Sequence, residues 1–114
     1  MKYSIGDFLD RLSILRLKKE RYYVNDEQLR LFEIEYLENY KNLEKYVSEL
    51  YEINKSIWDL EYDIRMNIEK DLTIIGKKAL KIRDINNLRV SLVNKINKET
   101  NSGFQEKRNY DKSI

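Results

Sequence analysis

A chain of 114 residues without one proline, and with glycine only at Gly6, Gly76 and Gly103, has almost nothing to stop a helix once it starts. Proline removes a helical hydrogen bond and glycine costs conformational entropy, so their scarcity leaves long helices as the default. Cysteine and histidine are also missing. That excludes disulfides, thiol catalysis, Ser-His or Cys-His pairs, and zinc sites built on thiolate or imidazole. Any metal would have to be a hard ion held by carboxylates. Hydrophobic residues at 41% and charged residues at 37% allow a core beneath a heavily charged surface. The length suits one domain. No apolar run approaches the roughly 18 residues of a spanning helix, and the first residues lack a signal-peptide core. A cytoplasmic location and no membrane partner are therefore expected.

Ser4-Ile5-Gly6-Asp7 reads as a capping box that opens a helix to about Tyr22. Ile5, Phe8, Leu9, Leu12 and Leu15 form one stripe at helical spacing, while Ile14 and Leu17 point elsewhere. A helix apolar on two sides is either central in its bundle or covered by another subunit, so a homo-oligomer is expected. Asn25 and Asp26 offer a second N-cap, with Gln28 placed to complete the box. Beyond them Leu29, Tyr36, Leu43, Leu50, Ile57 and Ile64 recur every seven residues, a coiled-coil-like seam reaching about Leu72. A single rod of that length would span about 70 Å, so a break is expected at Asn39-Tyr40-Lys41-Asn42, with an Asn capping the new helix and an unbroken rod as the alternative. Thr73 can cap a last helix to about Glu99, with Ala79, Ile82, Ile85, Leu88, Leu92 and Ile96 as its stripe. Asn101-Ser102-Gly103 supplies the left-handed residues of a helix end. The expected fold is all-α: an antiparallel bundle of three or four helices over residues 1–103, with a long central hairpin and a polar tail at 104–114.

Charge is segregated along the chain. Residues 25–71 carry six Lys/Arg against thirteen Asp/Glu, whereas residues 72–98 carry seven against Asp84 alone. A basic helix beside an acidic one in the bundle accounts for this, as does a basic face turned to an anionic, phosphate-rich ligand. Duplex DNA is not expected as a partner, because the acidic middle would repel its backbone.

The densest polar cluster is Trp58-Asp59-Leu60-Glu61-Tyr62-Asp63-Ile64-Arg65. Asp59 and Asp63 stand one helical turn apart and repel, so lysines or arginines of other helices, a divalent metal or water must neutralise them. Trp58 is expected against the stripe of the first helix. Asp10 and Arg11 on the first helix, and Arg83, Asn86 and Arg89 on the last, are candidate partners. Arg89 and Asn86 lie close to the apolar stripe, and buried Arg or Asn needs a hydrogen-bond partner. Arg89 is expected to meet Asp59 or Asp63, with Arg11 adding positive charge and Arg83 left free at the rim to hold a phosphate.

The run Ser4-Ile-Gly-Asp7-Phe-Leu-Asp10-Arg11-Leu-Ser-Ile, followed by Ile53-Asn54, Ile57-Trp58-Asp59-Leu60-Glu61 and Asp63-Ile64-Arg65, resembles a family of short helical proteins from bacteria and tailed phages. That family has a GD/DRL-type first helix and an LWDIE-DIR-like central segment, and no established activity. The resemblance covers the first 22 residues and roughly 53–89. It implies that Asp7, Asp10, Arg11, Trp58, Asp59, Glu61, Asp63 and Arg65 belong to one constellation, and it supplies no reaction.

Three classes of function fit these observations. One is a non-catalytic module in which Arg, Lys and Tyr enclose a phosphorylated nucleotide, in the manner of small phage proteins that sequester nucleotide immune signals. The second is a structural or protein-interaction module whose charged cluster fixes helix register. The third is an Mg²⁺-dependent nucleoside-triphosphate pyrophosphohydrolase, for which Glu35-x-x-Glu38 matches half of the ligand pattern, while Asp59 and Asp63 have the wrong spacing for the rest. No cofactor is implied outside the third.

Overall fold

The computed structural model describes residues 3–22, 26–66 and 70–102. Four helices follow one another: α1 (Ile5–Tyr22), α2 (Glu27–Asn39), α3 (Glu44–Arg65) and α4 (Leu72–Glu99), with a 3-10 turn over Lys41–Leu43. Among the described residues there is no strand. The chain is an all-α bundle, as its lack of breakers dictates.

The helix ends show which polar residues act locally. Ser4 Oγ accepts from the Asp7 amide at 3.1 Å, and Asp26 accepts from the amides of Gln28 and Leu29 at 2.8 and 3.3 Å. The interruption between α2 and α3 falls at the expected place, but neither Asn caps the new helix. Leu43 holds the N-cap position without a side-chain bond, and Asn39 turns back to Glu35. A 3-10 turn carries the chain through the corner instead. α3 also stops at Arg65, short of Leu72. The cap of α4 is Asp71 rather than Thr73: its carboxylate accepts from the amides of Thr73 and Ile74, and a carboxylate at a helix N-terminus also meets the dipole favourably. α4 leaves through Asn101 at φ 58, with the Ser102 amide returning to the Asn97 carbonyl. That is the left-handed exit expected there. The expected tail at 104–114 lies outside the described residues.

α1 touches each of the other three helices, while α2 and α4 do not touch each other. Its apolarity on two sides is therefore explained within one chain: Leu17 is fully buried and Ile14 half-buried. The core joins Phe8, Leu9, Leu12 and Leu15 of α1 to Leu29, Phe32 and Tyr36 of α2, to Val47 and Leu50 of α3, and to Val93 and Ile96 of α4. Phe8 and Phe32 stack with centroids 4.6 Å apart. At the base, Gly6 lets α1 and α4 meet backbone to backbone. A Cβ there would stand 2.6 Å from the Val93 carbonyl and 2.7 Å from Asn97 Oδ1. Asn97 Oδ1 and Ser102 Oγ accept from the amides of Gly6 and Ile5, so α4 satisfies the first N–H groups of α1.

Burial is confined to one end. Among the described residues of α3 none after Asn54 is fully buried, and none of α4 before Val93. The two helices run on as an antiparallel arm, joined where Lys78 meets Asp63 at 3.0 Å. The Cα radius of gyration, 16.3 Å, exceeds the roughly 13 Å of a compact chain of this length. Of the expected stripe of α4, Ala79 and Leu88 face solvent, and the inner line is instead Ile82, Ile85, Arg89, Val93 and Ile96.

Candidate functional site

The polar residues that fold into the interior come from three helices and close on one carboxylate. Asp10 of α1 sits one turn before Ser13, and both are buried. Asn54 occupies the inner face of α3 one turn after Leu50. Its Nδ2 donates to Asp10 Oδ1 at 2.9 Å and to Ser13 Oγ at 2.9 Å. Ser13 Oγ donates to the Asp10 carbonyl at 2.7 Å. From α4, Arg89 Nη1 donates to Asp10 Oδ2 at 2.7 Å and Nε to Asn86 Oδ1 at 3.0 Å. Each oxygen of Asp10 thus has its own donor, and the negative charge is matched by a guanidinium. This is how an ion pair survives withdrawal from water.

Arg89 is the arginine that enters the interior, but its carboxylate is Asp10. Asp59 and Asp63 are neutralised separately. Arg21 at the end of α1 meets Asp59 at 2.8 Å, and that hydrogen bond raises the Arg21 pKa above its ordinary value. Lys78 of α4 holds Asp63. The two repelling acids are thus balanced by basic residues of different helices, one of the outcomes their spacing required. Arg11 turns the other way: its Nη2 approaches Gln28 of α2 at 3.4 Å. It adds nothing to the positive side of the cluster. Arg83 is exposed and pairs with its neighbour Asp84 at 3.3 Å.

Trp58 is half-buried rather than sealed against the leucines of α1. Its ring lies 5.8 Å from that of Tyr22, where α1 is ending and no longer covers it. It lines a cleft of about 230 Å³ with Ile14, Asn54, Glu61, Asn86 and Arg89. Beyond it, sharing Glu61, runs an open groove lined by Ile64, Arg65 and Ile82. On the far side of α1, Arg16 grips Glu33 through Nε and Nη2 at 2.6 and 2.7 Å and lies over the Tyr36 ring at 5.1 Å. Burial pushes the Tyr36 and Tyr40 hydroxyls above their ordinary pKa, and the bond that Tyr46 donates to Glu99 does the same for Tyr46.

The structure therefore joins Asp10, Asn86 and Arg89, places Trp58 beside them, and leaves Arg11, Asp59, Asp63, Arg65 and Arg83 apart. Among the described residues no three carboxylates converge to hold a metal ion. Sequence reasoning gave no role to Ser13, Asn54 or Asn97. A signal existed: Asn54 continues the Val47-Leu50 inner line, and Asn97 directly follows Ile96 near the end of α4. No family model, no curated protein and no solved structure matches the chain.

Proposed function

We propose that this chain is a non-catalytic helical interaction module, its buried charges fixing the register of the helices and its arm serving as the binding surface. The observation that carries this reading is the closure of the Asp10 cluster. Arg89, the cation best placed for a ligand, already gives Nη1 to Asp10 and Nε to Asn86. A phosphate entering the cleft would meet Glu61 and would compete with Asp10 for the same guanidinium. At about 230 Å³ the cleft is also below the roughly 300 Å³ at which small-molecule sites begin. The arm, by contrast, presents apolar side chains to water, with Leu72 82% and Leu80 53% exposed.

A melting-temperature screen against cyclic dinucleotides, cyclic ADP-ribose isomers and nucleoside triphosphates with Mg²⁺ tests the reading. A ligand at a hundredfold its dissociation constant stabilises by about 2.7 kcal/mol, which such a screen detects. The expected result is no shift. A shift with any nucleotide, lost in Arg83→Ala or Arg89→Lys, replaces the interaction module with a nucleotide-binding one.

A further inference from the structure

One line of residues on α4 is left largely open among the described residues, with only Asn86 engaged in the interior, where it accepts from Arg89. Leu72, Gly76, Ala79, Arg83, Asn86 and Val90 are spaced four, three, four, three and four apart, the spacing of a helix–helix seam. All are exposed except Asn86, which is half-buried. A glycine inside a helix costs about 1 kcal/mol relative to alanine, and a Cβ at Gly76 would meet nothing within 4 Å. Within this chain the position demands no glycine. A small residue on an open seam does admit the backbone of another helix. On α3 the neighbouring edge is the open groove of Glu61, Ile64 and Arg65, which Ile82 of α4 also lines.

We propose that the arm pairs with the arm of a second copy of this chain, two hairpins packing about a twofold axis into a four-helix bundle; the proposal rests on the interaction-module reading. Charge selects this occupant. With Asp59 paired to Arg21 and Asp63 to Lys78, α3 keeps Glu61 as its unpaired acid among the described residues of the arm, and α4 keeps Lys77, Lys81 and Arg83 against Asp84. A twofold axis sets the acidic helix of each copy beside the basic helix of the other, so one self-complementary surface satisfies both. Among the described residues Glu61 makes no ion pair, and Arg83 pairs only with Asp84 next to it in sequence. Glu61 lines the groove with Ile82, at the same level of the arm as Arg83. Across the axis Glu61 of one copy therefore meets Arg83 of the other. Gly76 and Ala79 let the helices close, and Leu72 and Val90 leave water.

Light scattering on the full chain, from low to high micromolar concentration, reads the assembly. The expected mass is twice 13.9 kDa. Glu61→Arg and Arg83→Glu each change one exposed side chain and should each weaken the dimer about tenfold, with helicity by circular dichroism unchanged. The double exchange should restore it. Trp58, the sole tryptophan, adjoins the groove, so its emission should move to shorter wavelength as the dimer forms and stay fixed in the single variants. A monomer at every concentration overturns the second copy as partner, while the interaction-module reading stands or falls separately by the nucleotide screen. A dimer indifferent to both single exchanges overturns the arm as its seat. A dimer that the singles weaken and the double leaves weak overturns the Glu61–Arg83 register.

Discussion

The base of the bundle and its arm are built from the same helices yet solve different problems. In the base, α1 lies among three neighbours, and Leu9, Leu12, Leu17, Leu50 and Ile96 lose all contact with water. Among the described residues only α3 and α4 make up the arm, and leucines of the same chemistry stay wet. Local rules (absence of breakers, caps, periodic apolar residues) make helices in both regions, but it takes a third neighbour to make a core. The stability of this chain is therefore concentrated in the base, and its uncovered apolar surface in the arm. Truncating a pair of leucines tests that division most severely. Leu50→Ala should cost about 3–5 kcal/mol, and Leu88→Ala, which is 60% exposed and off the proposed seam, under about 0.5 kcal/mol in urea unfolding. Comparable losses would dissolve the distinction.

The ion pairs sharpen the same contrast. The Asp10 carboxyl group, 11% exposed, has Arg89 and Asn54 committed to it, whereas Asp63, 38% exposed, has Lys78 at the surface. Asp10→Ala strands a guanidinium and an amide in the interior and should cost about 3 kcal/mol, the lower end for a broken buried pair because Arg89 keeps some solvent. Asp63→Ala should cost under about 1 kcal/mol. Salt should separate them too: the Lys78–Asp63 contribution is screened by added salt and the Asp10 contribution much less. An Asp63→Ala loss equal to that of Asp10→Ala would mean the arm is as desolvated as the base.

How far the sequence speaks for itself follows the same boundary. The all-helical class, the interruption expected near Asn39–Asn42 and the entry of Arg89 into the interior were legible, because breakers and apolar spacing act over a few residues, while the count stood at three or four helices. The partner of Arg89 was not. Asp59 and Asp63 looked better placed because they stand together, yet which carboxylate meets an arginine is decided by how far each helix is turned when it packs. Spacing within one helix does not carry that angle. The Asn caps failed for a related reason: a 3-10 turn closed the corner without them, leaving Asn39 to bond Glu35. Trp58 was expected to be covered because α1 is apolar, and is half-open because α1 ends beside it at Tyr22.

The two described glycines make a comparison at smaller scale, with opposite signs. Gly6→Ala places a methyl group against the Val93 carbonyl and Asn97 Oδ1, backbone and a committed hydrogen-bond acceptor that cannot easily give way. It should cost about 2 kcal/mol, within the usual range for overpacking. Gly76→Ala meets no atom and removes a flexible residue from a helix, so it should stabilise the monomer by up to about 1 kcal/mol. A destabilising Gly76→Ala, measured below the concentration at which any dimer forms, would show that something within the chain already covers the arm.

The smallest effect expected concerns alkaline pH and belongs to the base alone. Burial raises the folded-state pKa of Tyr36, with Glu44 adding to the rise and Arg16 opposing it. Tyrosine is neutral when protonated, so a raised folded pKa means that the native state keeps its proton when the unfolded chain begins to lose it near pH 10. The contribution is therefore fully present below about pH 10 and is lost as pH rises from there through the folded-state value. Tyr40, raised by the same burial, adds to the loss. Melting temperature should fall above about pH 10, and Tyr36→Phe should make that fall shallower while leaving neutral-pH behaviour nearly as it was. The ring keeps its place under Arg16 in that variant, so packing is preserved and the proton alone is removed from the comparison. An alkaline fall unchanged in Tyr36→Phe would assign it to other groups, and would remove Tyr36 as a reporter of how dry the base is.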